Sequence, residues 1–394
     1  MPGRPGTPRL LREINDRAAL ELLLAEGPLT RTQLGERTGL SKVTASQMLA
    51  RLEERGLVSV AGQQAAGRGP SAALYAVVPS SAYVAGLDVA PEAVTTGVAD
   101  VTGRMLTEVT VDPNGSHHPV NLVHEAVATA CQSAGVSQDQ LRAFVIGTGG
   151  MVDPHTGDVH LHVDMPDWHE GVLGALRGDL RRPVSIENDV NLAAMAERAV
   201  GAARGVDNFV FVWMGVGLGL ATVIGGRLHR GARGAAGEIG YLPVPGASLP
   251  EDLTHPSSGG FRSLVGARAV QALAAQYGFT GQTTGEAVRA GVSAAQAGED
   301  NGLDFLSELA TRVAVGLAAV AVTLDPSLMV LGGEVGQAGG TPLAQLVSAE
   351  VGRICPVTPS VVPTSVTNDP VLRGALLTAV DQARAELLAS VANS

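Results

Sequence analysis

The sequence predicts an α/β protein in which a helix-turn-helix module precedes a body of two lobes, each a mixed sheet with helices packed on it. Helix caps and a glycine turn fall at Thr30, Gly39 and Ser41, the spacing of two short helices joined by a tight turn. Beyond residue 81 strand-type runs replace the helical period. The order of strand, glycine turn and strand then begins a second round at Asn208, an internal echo that implies two lobes with a cleft between them.

Composition agrees. The 394 residues are 45% hydrophobic with a mean hydropathy of +0.20, enough to bury two or three cores, while 3% aromatics and 50 glycines imply close helix–sheet packing through small side chains. Extended disorder is excluded. The apolar run Val313–Leu324 falls short of the ~20 residues of a membrane span and reads as a buried helix. No signal-type core follows Arg4, Arg9 and Arg12, so a cytoplasmic protein without a membrane partner is expected. Cys131 and Cys355 form neither a disulfide framework nor a metal pair. The net charge of -11 is unevenly spread: residues 1–80 hold 10 basic against 7 acidic residues, the rest 17 against 31. A basic module on an acidic body suits a head that approaches phosphates.

In order along the chain, 15–25 carries helix-spaced apolar residues and stops at Gly27-Pro28. Thr30-Arg31-Thr32-Gln33 has the form of a capping box and starts a second helix that closes at Gly39. Ser41 caps a third helix to Arg55, in which Val43, Met48, Leu49 and Leu52 are expected inside. Lys42, the only lysine, with Thr44, Ser46, Gln47 and Arg51 is expected outside, and with Arg31 forms the candidate DNA-contacting set. Two strands around 56–60 and 73–78 flank a loop carrying Arg68, the expected wing. The same caps and hairpin would also serve a protein-interaction module; the exposed polar face and basic wing favour DNA.

Strands follow at 83–89, 93–99 and 105–111, a helix near 120–133, and a strand 143–146 that runs into Gly147-Thr148-Gly149-Gly150. A further strand, 184–186, delivers Glu187, Asn188 and Asp189 to the start of a helix 190–200. That trio suits a polyol, because an amide donates and accepts together while carboxylates accept from several hydroxyls and can deprotonate one. In the second round, 209–214 is a strand, Gly215-Val216-Gly217-Leu218-Gly219 either a phosphate-facing loop or a tight hairpin, and 220–224 a strand. Gly237-Glu238-Ile239-Gly240-Tyr241 leaves Glu238 among small residues, as a ligand contact or as a turn cap. Gly149, Gly150, Glu187, Asn188, Asp189, Glu238 and Tyr241 form the candidate pocket. His160 and His162 would share a strand face, but no further metal ligand accompanies them and no metal site is expected.

Taken together these residues resemble the ROK family of repressors and sugar kinases, in its repressor branch. The resemblance rests on Gly39-Leu40-Ser41 to Gly56-Leu57-Val58, Gly67-Arg68-Gly69-Pro70, Val152-Asp153-Pro154, Met165-Pro166-x-Trp168, Glu187-Asn188-Asp189, Gly237-Glu238-Ile239-Gly240 and Asp325-Pro326 to Gly332-Gly333. It implies a winged helix-turn-helix domain over 1–78 and an actin-like, sugar kinase-type fold whose lobes span 82–190, completed by helix 371–392, and 191–370. It further implies a homodimer or larger assembly on a palindromic double-stranded operator, with a sugar or sugar phosphate effector. Three departures matter. Asp88 is followed by Val89-Ala90-Pro91-Glu92 in place of the kinases' Gly-Gly-Thr phosphate loop, so catalysis is not expected although Asp189 stands at the kinase base position. Tyr241 replaces the family His, and no Cys occurs between it and Cys355, so the family zinc is expected to be absent and no cofactor is expected. A sugar-contacting Glu of the family is missing from Gly259-Gly260-Phe261-Arg262-Ser263. The alternatives are a sugar kinase with an appended DNA-binding domain, or a regulator whose sugar site has decayed.

Overall fold

A computed structural model of the chain describes residues 8–65, 71–91, 93–113, 119–160, 178, 184–251 and 259–392. Arg68, Glu92, His162 and Met165–Trp168 lie outside the described residues.

The N-terminal head holds three helices, α1 (Pro8–Glu26), α2 (Arg31–Thr38) and α3 (Lys42–Glu54), and a sheet ordered β1 (Leu29–Thr30), β3 (Ala72–Val77), β2 (Val58–Gln64). The capping box forms as the sequence predicts: Thr30 Oγ1 accepts from Gln33 N at 3.2 Å and Gln33 Oε1 from Thr30 N at 2.8 Å. Gly39 ends α2 with φ 70°, a left-handed conformation glycine enters without cost, and Ser41 caps α3. One expectation fails. Val43 is 67% exposed, and Ala45 packs inside with Met48, Leu49 and Leu52. The reason is helical phase: positions 45, 48, 49 and 52 form one stripe, and 43 lies well off it.

The first lobe is a five-stranded sheet ordered β10 (Val184–Asn188), β7 (Leu141–Thr148), β4 (Tyr83–Val89), β5 (Val94–Asp100), β6 (Met105–Val111). β4, β5 and β6 form an antiparallel meander, and β7 and β10 run parallel to β4. A short hairpin of β8 (Met151–Val152) and β9 (Val159–His160) leaves the end of β7. α4 (Pro119–Ala134) covers one face over a core that includes Leu87, Val123, Val127, Phe144 and Ile146. The second lobe repeats the plan with β13 (Arg227–His229), β12 (Leu218–Ile224), β11 (Phe209–Met214), β14 (Leu328–Gly332) and β15 (Ser360–Pro363).

Two helices join the lobes by exchange. α5 (Asp189–Val200) follows β10 yet packs Val190, Ala193 and Ala194 against Phe209, Phe211 and Ala221 of the second sheet. In the second lobe come α6 (Arg262–Val265), α7 (Ala267–Gln276), α8 (Thr284–Gln296), α9 (Asp300–Leu324) and α10 (Gly333–Ile354). The final helix, α11 (Pro370–Ala392), returns to the first sheet and packs Leu372, Ala375 and Leu376 with Val84, Ala99 and Val145. Its path requires Gly86, where an added Cβ would stand 2.7 Å from Leu376 N. By length and composition α9 could cross a membrane, but Phe305, Leu309, Val313 and Leu317 are fully buried in the second core, and the helix extends well beyond the predicted apolar run.

The head is fastened to this frame. Leu20, Leu23, Leu49 and Leu52 belong to the same apolar cluster as Ala383 and Val391 of α11, and Arg55 Nη2 donates to Ser390 O at 3.2 Å.

Candidate functional site

The cleft is assembled at the C-terminal ends of the first lobe's strands, where ligands of open α/β sheets bind. Asp88 on β4 pairs in register with Gly147 on β7, which pairs with Glu187 on β10. Asn188 caps α5: its Oδ1 accepts from Asn191 N at 3.1 Å and its Nδ2 donates to Gly150 O at 3.1 Å. Half the amide's hydrogen-bonding capacity therefore remains. Asp189 Oδ1 accepts from Val190 N at 2.8 Å, and Gly149 lies beside Oδ2. Asp189 is half-buried, and the protein packed round its carboxyl raises its pKa despite those bonds.

Glu187 has a different role from the one its sequence neighbours suggest. It is 8% exposed, its Oε1 accepts from Asn191 Nδ2 at 2.9 Å, and its Oε2 receives Arg230 Nε at 2.6 Å. Both oxygens accept from the protein, so Glu187 fixes the start of α5. Arg230, 43 residues away, was not signalled by any local motif.

From the second lobe, Glu238 comes within electrostatic reach of Asp189. Burial raises its pKa, Arg262 opposes that shift and Asp189 adds to it. Gly237 permits this approach: at φ 106° an added Cβ would sit 1.8 Å from Leu220 O. Tyr241 lies under the Arg262 guanidinium, 5.6 Å from its ring centroid. Two further carboxyls were missed in the sequence as site residues. Asp88 is pushed up to about 7, first by burial, then by the charges of Asp189 and Asp369. Asp369 precedes α11 with φ 44°. The cleft thus gathers Asp88, Gly149, Gly150, Asn188, Asp189 and Glu238, with Tyr241 joined through Arg262.

Gly215–Gly217 forms the hairpin of the two readings left open, with Gly215 N bonded to Gly217 O at 3.0 Å between paired β11 and β12. Among the described residues no group of three or more His, Cys, Asp or Glu is placed to hold a metal ion.

On the head, the outward side of α3 is narrower than the sequence implies. Arg51 forms a two-point ion pair with Asp16, Nε to Oδ2 at 3.0 Å, which ties α3 to α1 and commits one edge of the guanidinium within the head. Thr44 Oγ1 bonds Ser41 Oγ at 2.9 Å, and Ser46 Oγ donates to Lys42 O and accepts from Arg31 Nη1 at 3.1 Å. Lys42, Val43 and Gln47 remain exposed.

A winged helix-turn-helix head on a two-lobed, sugar kinase-like α/β body defines the class of protein. The chain belongs to the ROK family: residues 84–382 match the ROK family model, and residues 15–69 match the MarR family model. It is 25% identical over 250 residues to the DNA-binding transcriptional dual regulator NagC of Escherichia coli K12, covering 61% of this chain and 59% of that one. It is 24% identical over 237 residues to the xylose repressor of Bacillus subtilis, covering 59% and 61%. The match spans about three-fifths of each repressor's length. In structure it is similar to a ROK family transcriptional regulator, a homolog of the E. coli Mlc protein, with TM-score 0.73 and 17% identity over 98% of this chain and 100% of that one. It is also similar to a ROK family glucokinase from Streptomyces griseus solved with glucose and AMPPNP, with TM-score 0.60 and 26% identity over 75% and 98%.

Proposed function

We propose that the protein is a cytoplasmic, dimeric transcriptional repressor of carbohydrate genes. Its heads bind a palindromic operator, and its cleft receives a sugar or sugar-derivative effector. The observation that carries this reading is the head itself, with the exposed Lys42–Gln47 face of α3 mounted on a helix, α11, whose other end begins at the cleft. A ligand that draws Asp88, Asp189 and Glu238 together acts on both lobes and on the start of α11, which is the differential contact an effector needs. The repressor relatives and the glucose-bound kinase relative support the pairing of operator with sugar.

The reading contains no phosphotransfer. After Asp88 the chain closes a tight turn in which Ala90 N bonds Ala93 O at 3.0 Å and Ala93 N bonds Ala90 O at 3.3 Å, while Pro91 has no N–H. The N–H groups of Ala90 and Ala93 are thereby withdrawn from a phosphate. It contains no zinc either, on the strength of Tyr241 and the lack of cysteine before Cys355 apart from Cys131.

The test is selection of duplexes from a random pool by the full-length protein, followed by release with a panel of sugars and sugar phosphates. A selected palindrome released by one sugar is expected. Lys42→Ala and Arg68→Ala each weaken binding and flatten its salt dependence. ATP-dependent sugar phosphorylation abolished by Asp189→Asn, with no sequence selected, overturns the reading in favour of a kinase.

A further inference from the structure

We propose that the head reads an A·T step in the major groove through Val43 and Gln47, with Val43 against the 5-methyl group of a thymine and Gln47 paired with an adenine edge. The inference rests on the DNA-binding reading above and deepens it. Val43 is the second residue of α3, and it is 67% exposed. Valine is a weaker helix former than alanine, so an exposed first-turn position gains nothing locally from it. A single exposed apolar residue is ordinary on a protein surface; its neighbours set this one apart.

The polar groups around it are committed within the head: Thr44 to Ser41, Ser46 to Arg31 and the Lys42 carbonyl, Arg51 to Asp16. Gln47 lies one turn on, on the same side as Val43, and is exposed; Ala50 follows, exposed and small enough to let the helix sit deep. The chain's only lysine, Lys42, stands beside them where a phosphate would lie. In helix-turn-helix proteins the N-terminal residues of this helix contact base edges. An outward row of one branched apolar side chain and one amide matches a particular pair. The thymine methyl is the only apolar group in the major groove, and an amide pairs with adenine N6 and N7. Guanine would call for a bidentate cation on this row, and the arginine one turn beyond Gln47, Arg51, is held by Asp16.

The operator half-site selected by the full-length protein is resynthesised with each thymine in turn replaced by deoxyuridine, which removes only the methyl group. One thymine per half-site is expected to weaken binding about fourfold when its methyl is lost, the effect of one buried methyl group. Val43→Ala should lose about the same affinity on the parent site and cease to distinguish thymine from uracil there. Val43→Thr, which keeps one methyl, falls between. Gln47→Ala should lose roughly tenfold discrimination at the adjoining adenine. An exposed alanine favours the helix, and a melting curve of each variant verifies that the head stays folded. If every thymine tolerates the loss, or the parent and Val43→Ala respond alike, the assignment is overturned. A pool that yields no selected sequence defeats the DNA-binding reading itself.

Discussion

The first sheet, ordered β10-β7-β4-β5-β6, and the second, ordered β15-β14-β11-β12-β13, follow one path, each with a three-stranded meander and two parallel strands. Their strand ends differ. In the first lobe β4, β7 and β10 end in Asp88, Thr148-Gly149-Gly150 and Glu187-Asn188-Asp189; in the second, β11 ends in the glycine hairpin at 215–217 and β14 in Gly332-Gly333. Topology alone therefore does not make the site. The repeated plan supplies two sets of strand ends, and the first carries the cluster of carboxyl and amide side chains. What the second lobe contributes most directly is a pair of returns: Glu238, and α11 with Asp369 at its head. Since α5 and α11 each cross to the other repeat's sheet, the two lobes share one joint, and whatever loosens it should expose how independent they are.

The strongest way to break the joint is Glu197. This carboxylate on α5 is fully buried, accepting from Ala202 N at 2.6 Å, from Ser365 N and Val366 N at 2.9 Å each, and from the Thr364 hydroxyl. It ties the end of α5 to the segment that leads into α11. Glu197→Ala leaves several buried donors unmatched and should cost roughly 3 kcal/mol or more. Calorimetry should then resolve two transitions where the parent shows one; a single transition at the parent temperature would mean that the lobes do not rely on this tie.

Gly374 comes next. An added Cβ there would stand 1.9 Å from Leu192 O, at the crossing of α5 and α11. In an exposed helix Gly→Ala gains about 1 kcal/mol. Here the clash reverses the sign, and Gly374→Ala should lose roughly 2 kcal/mol in denaturant unfolding. A stabilised variant would show that the crossing yields to the added methyl group without loss.

These tests also mark what was legible in the sequence. The capping box at Thr30, the glycine stop at Gly39 and the strand limits 83–89 and 209–214 are local signals, and they stand where the periodicity placed them. The polyol trio was visible as a cluster because its members adjoin in sequence. The partners its members take were not, since Glu187 pairs with Arg230 over 43 residues, as Arg51 of the head pairs with Asp16 over 35. Val43 was misplaced for a related reason: its hydrophobicity suggested burial, while the phase of the helix, fixed by Ala45, Met48 and Leu52, turned it outward. The exchange of α5 and α11 depends on chain segments nearly 170 residues apart, beyond any period a sequence displays.

Inside the cleft, Asp88 sharpens the contrast between lobes. Its carboxyl titrates near 7 in the fold, against an ordinary value near 3.8. A raised carboxyl favours folding while protonated; that contribution is complete below the unfolded pKa and is lost as pH rises through about 7. Asp88→Asn should therefore stabilise the protein by roughly 2 kcal/mol at mildly alkaline pH, an amount discounted for the group's partial exposure, and the gain should vanish towards the unfolded pKa. Stability curves of parent and variant across that range decide it; parallel curves would mean Asp88 is ionised throughout.

The smallest effect separates the two helix starts. Asp189 begins α5 and Asp369 precedes α11, corresponding places in the two repeats, and both charges raise Asp88, Asp189 more than Asp369. Asn removes the charge at either site and tolerates the left-handed backbone at 369. Asp189→Asn and Asp369→Asn should each lower the Asp88 midpoint, the first by more, as followed by carbon NMR of the Asp88 carboxyl. Equal shifts would make the cleft electrostatically symmetric about Asp88. An effect from Asp369 alone would move the charged centre onto α11, the helix that also holds the head, and would tie the charge of the cleft to the head's own support.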